Sequence, residues 1–226
     1  MKYLKSFLSN SDVNVYAKPN VVLLEDTGSI IYNADIVQGV FAQHIDGRLF
    51  TADEWVANGF TREDANGIAV CMPEASFVMA INAYPITVKW CDFDSYKLID
   101  GVVATDNASA AMLDYLGEGN TAKIALATKE DSAAKRCIRS TFPNGKKGYL
   151  GSLGEWRVAV ANFASIEEVY KTITGDSQMP GGRFWTSTQY SQDKAWVIKW
   201  NNEISTQEKG HNTGVGAPDF IKFTTL

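Results

Sequence analysis

The chain has 226 residues, a net charge of −5 and no long run of Lys or Arg, which suits one large domain and argues against nucleic acid as its main partner. At this length a sizeable core can be buried, and no apolar run is long enough to span a bilayer, so membrane insertion is not expected. The three cysteines, Cys71, Cys91 and Cys137, are far apart and form no C-x-x-C, which points to reduced, buried thiols rather than a disulfide framework.

In chain order, the first 38 residues read as extended. The start, "MKYLKSFLSNSD", has two lysines but no apolar segment behind them, so no secretory signal is expected and folding is assigned to a cytoplasm. "VNVYA", "NVVLLE" and "SIIYNA" are β-rich, and Asp26-Thr27-Gly28 is a hairpin-turn signal between the last two. Residues 1–38 are read as a β-rich attachment segment and residues 39–226 as the main domain.

"GVFAQHIDGRLFT" is a second hairpin, turning at Asp46-Gly47. In "TADEWVANGF" Thr51 and Glu54 have the spacing of a capping box, and Gly59 suits the end of the short helix that follows. "GIAVCM" and "SFVMAI" read as buried strands on either side of Pro73-Glu74-Ala75. The long stretch 106–142 is helical in composition; Gly117 and Gly119 divide it, and Asn120 is placed as an N-cap. Ala133, Ala134, Cys137 and Ile138 recur at helical spacing, which puts Cys137 in the core. "SLGE" (Ser152–Glu155) is another capping box, with Leu153, Trp156, Val160 and Phe163 on one face behind it. "SIEE" (Ser165–Glu168) is read as a third, closed by Gly175, and everything after Gly182 as strands and turns. Strands, then helices, then strands make an α+β fold, in which the first and last strands of the main domain could pair.

The usual chemistry is thin. His44 and His211 belong to no metal-spaced cluster, "GEGN" and "GVGAPD" lack the Lys-Ser/Thr of a phosphate loop, and no G-x-S-x-G occurs. Asp92, Asp94 and Asp100 could be imagined around calcium, but no twelve-residue loop ending in Glu encloses them. No enzyme activity, metal or cofactor is therefore expected.

Several motifs carry a resemblance. "DYLGEGNTAKI", the A-x-x-x-C helix with Cys137, "GYLGSLGEW" and "FWTSTQYSQDKAWVIKWNN" are similar, in that order, to motifs of bacterial and phage domains with a C-type-lectin-like fold, with Gly151 where that family usually has Pro. The resemblance runs over roughly residues 39–223. It implies paired terminal strands, two helices packed on the sheet, and long C-terminal loops forming a presented face. Relatives include variable proteins of diversity-generating retroelements and adhesive surface proteins. The formylglycine-generating enzyme is also related, but its reactive cysteine pair has no counterpart here, where only Cys137 lies in the C-terminal half. "KPNVVLLEDTGSIIYN" resembles N-terminal stretches of virion proteins from phages of Bacteroidales-type hosts.

These resemblances imply a non-enzymatic virion structural protein of a phage, a head or tail fibre or decoration. Such a protein would fold in the host cytoplasm and display a lectin-like domain for attachment. The alternative is a bacterial ligand-binding or adhesive lectin-like protein. The N-terminal segment would contact other virion proteins and support a homo-oligomer, and the partner at the presented face would be a host-surface glycan or protein. Trp185, Trp196, Ile198 and Trp200 are expected in the core. Gln189, Tyr190, Gln192, Asp193, Asn201, Asn202, Gln207, Lys209, His211 and Asn212 are expected together at one rim, where Tyr offers rigid contact area and Asn, Gln and Ser adaptable hydrogen bonds.

Overall fold

Thr51 and Glu54 close the capping box their spacing predicts: the Thr51 hydroxyl accepts from Glu54 N and the Glu54 carboxylate accepts from Thr51 N at 2.8 Å. The helix they start, α1 (Ala52–Ala57), buries Trp55, and Gly59 follows it at φ 69°. This is one element of a computed structural model that describes residues 21–24, 30–32, 38–82, 88–92, 96–211 and 218–226.

Strand β1 (Val21–Leu24) pairs antiparallel with β2 (Ile30–Tyr32), as expected on either side of the predicted turn. The turn residues and the "VNVYA" stretch lie outside the described residues. In the main domain β3 (Gly39–His44) and β4 (Leu49–Phe50) form the predicted hairpin, with Gly47 at φ 94° in its turn. Strands β5 (Ala65–Cys71) and β6 (Ser76–Met79) follow as a second hairpin, and every residue of β5 is buried. With the short β7 (Tyr149–Leu150) and the last strand, β11 (Lys222–Thr224), they make a six-stranded sheet of order β4-β3-β5-β6-β11-β7.

The expected pairing of first and last strands does not occur. β3 is paired on both sides, by β4 and β5, so β11 takes the free edge of β6 and carries β7 on its other side. The β3–β4 hairpin on one side and the pairing with β5 on the other leave no edge of β3 open to a strand from the far end of the chain.

The helices are α2 (Ala108–Ala111), α3 (Gly117–Ala127), α4 (Ala133–Arg139), α5 (Leu153–Ala161) and α6 (Phe163–Thr174). Two sequence-based caps need correction. Helix α3 starts at Gly117 and runs through Gly119, so Asn120 is an interior residue. Its side chain is fully buried and donates to Asp114 Oδ2 at 2.8 Å, a tertiary bond that supersedes the local capping role. Helix α6 starts two residues ahead of Ser165, directly after Asn162, which also ends α5, so "SIEE" lies within its first turns. Its core stripe, Ile166, Val169, Tyr170 and Ile173, has the 3-4 spacing of a half-buried helix, and Gly175 ends it in the left-handed conformation at φ 72°. Helix α6 packs on β3 and β5, and α5 packs on the strands β8 (Phe184–Gln189) and β9 (Lys194–Ile198) of a second sheet.

The last part of the chain forms a separate three-stranded sheet from β8 (Phe184–Gln189), β9 (Lys194–Ile198) and β10 (Ile204–Glu208), in the order β10-β9-β8. It is covered on both faces. Phe184, Trp196 and Ile198 join the main core with Trp156 and Phe223; Trp185, Ala195 and Val197 join a second core with Trp90, Ile124, Cys137 and Phe220. The tryptophans expected on one inward face thus serve two cores: successive residues of a strand point to opposite sides, and here both sides are dry. Trp200 is half-buried against the main core. All three cysteines are buried; burial pushes the thiols of Cys71 and Cys91 up to about 12 and that of Cys137 higher still, as expected of inert packing groups.

Candidate functional site

Three of the motifs that carry the resemblance meet in space, and they meet inside the protein. Asp114 of "DYLGEGNT" accepts from Leu116 N at 3.0 Å on one carboxylate oxygen, and from Asn120 Nδ2 at 2.8 Å and Thr188 Oγ1 at 2.7 Å on the other. Thr188 belongs to "WTSTQY". The Asp114 carbonyl accepts from Ser152 Oγ at 2.6 Å and Gly154 N at 2.9 Å, both from "SLGE". Glu155 completes the capping box on Ser152 and takes the Tyr149 hydroxyl at 3.0 Å; burial pushes its carboxyl up to about 7. Two glycines are explained by the same crowding. A Cβ on Gly117 would run into the Glu155 carboxylate, and one on Gly154 into the Asp114 carbonyl. Asp114, Asn120, Ser152, Glu155 and Thr188 are all under a tenth exposed. The network staples α3, the start of α5 and β8 together and offers nothing to a ligand.

The predicted rim is divided. β8 and β9 run antiparallel, so the turn after β8 and the turn after β9 lie at opposite ends of the small sheet. Asn201 and Asn202 occupy one end. Asn201 Oδ1 accepts from Glu203 N at 3.1 Å, and Asn202 takes φ 64° in the tight turn to β10. Tyr190, Gln192, Asp193 and the end of β10 with Gln207, Lys209 and His211 occupy the other, about four residues or ~13 Å away along the strand. A single partner patch of all ten residues does not exist. Asn212 lies outside the described residues.

Two rim residues are interior. Gln189 is fully buried: its carbonyl accepts from Ile99 N at 3.0 Å and its amide donates to the Ile99 and Val102 carbonyls at 3.1 and 3.3 Å. Lys209 is fully buried as well. Its Nζ donates to Gln189 Oε1 at 2.8 Å and to the Lys97 carbonyl at 3.1 Å, and lies 4.8 Å from the centre of the Trp90 ring. A Gln and a Lys in loop-like sequence look exposed. Here they pin segment 96–102 to the small sheet. Gln207 is half-buried and receives the Arg183 guanidinium at 3.2 Å.

Desolvation pushes the Lys209 ammonium down to about 8. The sign is that of a buried base: the unfolded chain holds this proton up to the ordinary lysine range near 10.5, the folded chain only to about 8. Below pH 8 the burial penalty is complete; it is relieved as pH rises from 8 to 10.5. The stability difference between the wild type and Lys209→Met is therefore expected to shift in favour of the wild type across that window, by up to about 3 kcal/mol. Urea unfolding at pH 7 and pH 10 measures it; a difference that does not change with pH would mean the amine reaches water.

What remains exposed at that end is a shallow depression of ≈ 350 Å³ between segment 98–106 and the turn after β8. Tyr190, Ser191 and Gln192 form one wall; Leu98, Thr105 and Asp106 form the other. The walls are held rigidly. Gln189 N donates to Val103 O at 2.8 Å, Thr105 N donates back to Gln189 O at 3.1 Å, and Trp196 Nε1 donates to Thr105 O at 3.0 Å. The Tyr190 ring stands edge-on to Trp196 with centroids 5.0 Å apart. Ser191 Oγ donates to Asp193 Oδ1 at 2.6 Å, a bond that leads the lowering of the Asp193 carboxyl. A large exposed apolar side chain, Leu98, 47% exposed, an aromatic and four polar groups suit a sugar ring or a peptide side chain. Sequence reasoning missed Leu98, Thr105 and Asp106, because they sit in irregular chain with no periodicity and reach Tyr190 only through long-range bridging.

His44 packs among Phe50, Trp55 and Phe60 and meets Asp46 at 2.9 Å. Asp92 Oδ2 accepts from Lys129 N at 2.8 Å and Glu130 N at 3.3 Å, and Asp94 lies outside the described residues. Among the described residues no three His, Cys, Asp or Glu side chains gather as metal ligands, and no helix is long and apolar enough to cross a membrane.

No protein-family model matches the chain. Among solved structures, a fimbrial protein from Bacteroides ovatus ATCC 8483 superposes with a TM-score of 0.55 at 14% sequence identity, over 84% of this chain and 49% of that one. The chain spans about half the length of that neighbour, and the likeness is one of fold.

Proposed function

We propose that this chain is a non-enzymatic structural protein displayed at a surface and used for attachment, with the depression beside Tyr190 as its contact face. The observation that carries the reading is that face: an aromatic and an exposed leucine on rigid walls among adaptable polar groups. The motif resemblance favours a phage particle as the carrier, with residues 1–38 joining it to other virion proteins and the domain meeting a host-surface glycan or protein. The likeness in fold to a fimbrial protein from Bacteroides ovatus favours a second carrier, a fimbria-like bacterial surface structure.

Mass spectrometry of purified particles separates the carriers. Recovery of the chain at structural copy number supports the virion reading, and its absence from particles but presence in sheared cell-surface filaments supports the other. The contact face has its own test. The double variant Tyr190→Ala/Gln192→Ala is expected to abolish binding of the purified protein to host cells, since aromatic anchors at hot spots are worth about 2 kcal/mol or more. Its stability should fall by only about 1 kcal/mol, mostly the lost ring contact with Trp196. Unchanged cell binding by the folded variant would make the domain a structural decoration.

A further inference from the structure

The small sheet has two edges, and they are treated differently. The outer side of β8 is covered: Trp185 N donates to Asp219 O, Ser187 N to Gly151 O and Gln189 N to Val103 O. In the larger sheet the end strands β4 and β7 have only two residues each. β10 is longer, five residues, and is paired on one side only, with β9. Lys199 N donates to Glu203 O at 3.0 Å and Lys209 N to Asp193 O at 2.8 Å, so between them the odd-numbered residues of β10 turn N–H and C=O toward β9. Ile204, Thr206 and Glu208 turn theirs outward. Among the described residues the one backbone bond to these outward groups comes from His211 N, on Glu208 O. The strand also lacks the usual guards of an edge. It holds no Pro, no Lys and no shift of register, and its single charge, Glu208, is at the end.

We infer that β10 pairs with β10 of a second copy of this chain, antiparallel about a twofold axis at Thr206, joining two three-stranded sheets into one. The register follows from which groups face outward. Only a twofold centred on Thr206 engages all three outward residues of both copies: Thr206 meets its own counterpart, and Ile204 meets Glu208. The Glu208 carbonyl keeps a second lone pair for this beside His211 N. The residues set opposite one another are then Thr with Thr, Ile with Glu, and Ser205 with Gln207, so no like charges face each other. The strand complements itself, and an isologous contact of this kind closes at two copies. The inference is independent of the contact face at Tyr190.

The test is sedimentation velocity of the full chain. Between about 5 and 500 µM the mass should rise from one chain to two, as a small interface of this type dissociates on dilution. Thr206→Pro removes an outward N–H and leaves the bonds to β9 in place; it should melt near the wild type and remain monomeric throughout. Thr206→Lys sets like charges across the axis with the backbone intact and should also remain monomeric. Thr206→Cys should crosslink to itself under mild oxidation, since facing residues of a hydrogen-bonded pair have Cα atoms about 5.5 Å apart, within the span of a disulfide. A wild type that stays monomeric at every concentration overturns the inference and leaves the edge to a foreign strand or to none. So does a dimer that survives both Thr206→Pro and Thr206→Lys. A dimer in which Thr206→Cys fails to crosslink overturns it too, because another segment of the second copy would then occupy the edge.

Discussion

Trp185→Ala is expected to cost roughly 3–5 kcal/mol, the range for truncating a large buried aromatic. The total stability of a domain is about 5–15 kcal/mol, so the variant would sit near its unfolding threshold at 37 °C. The size follows from position. Trp185 is fully buried in the second core with Trp90, Val197 and Phe220, so its removal leaves a void that strands on a packed sheet cannot close. Its indole N–H donates to Val88 O at 2.9 Å, which ties residues 88–92 to β8; that carbonyl would be stranded as well. Trp185→Phe separates the two losses. It keeps most of the apolar area, gives up the hydrogen bond, and should cost about 1–3 kcal/mol. Urea unfolding midpoints for the pair give the answer. A cost below about 1 kcal/mol for the alanine variant would place Trp185 at a surface, and the double-sided burial of β8 would be wrong. Trp200→Ala is the internal control: half-buried, with its N–H on Pro180 O at 3.0 Å, it should lose clearly less.

The sequence carried the local devices and little of their assembly. Thr51–Glu54 and Ser152–Glu155 were legible because a capping box is specified by side chains three residues apart that satisfy each other. Asp46-Gly47 and Gly175 were legible for the same reason, a backbone conformation that few residues tolerate. Asn120 and Ser165 show the limit. Both are good cap residues by type, yet Asn120 is claimed by Asp114 and Ser165 falls inside a helix that began earlier. The strand pattern of Phe184–Ile198 was also legible, but not which face met which core. Alternation tells inside from outside only when one side is wet, and this sheet is dry on both. The rim failed on topology. Residues close in sequence across two successive turns were placed together, whereas an antiparallel meander sends successive turns to opposite ends. Gln189 and Lys209 failed on burial, since a polar side chain is interior only when partners such as Ile99, Val102 and Lys97 arrive from elsewhere in the chain.

Asp114→Ala is the second large effect expected. The substitution strands two buried donors, Asn120 Nδ2 and Thr188 Oγ1, away from water, and also removes the acceptor of the partly buried Leu116 N. A buried donor left without its charged acceptor costs about 1–3 kcal/mol, so the loss should be about 3 kcal/mol or more. The shape of the loss distinguishes a network from a set of separate bonds. Thr188→Val removes one donor while keeping the side chain's volume, and it should cost about 1–2 kcal/mol alone. Made in the Asp114→Ala background it should cost much less, because its acceptor is already gone; a coupling of about 1 kcal/mol or more is expected between the two sites. Strict additivity would mean that Asp114 and Thr188 do not share a bond in solution. Coupling would show that these motifs mark how α3, α5 and β8 are fastened. The contact face proposed above, at half-buried Tyr190 and exposed Gln192, lies outside that network.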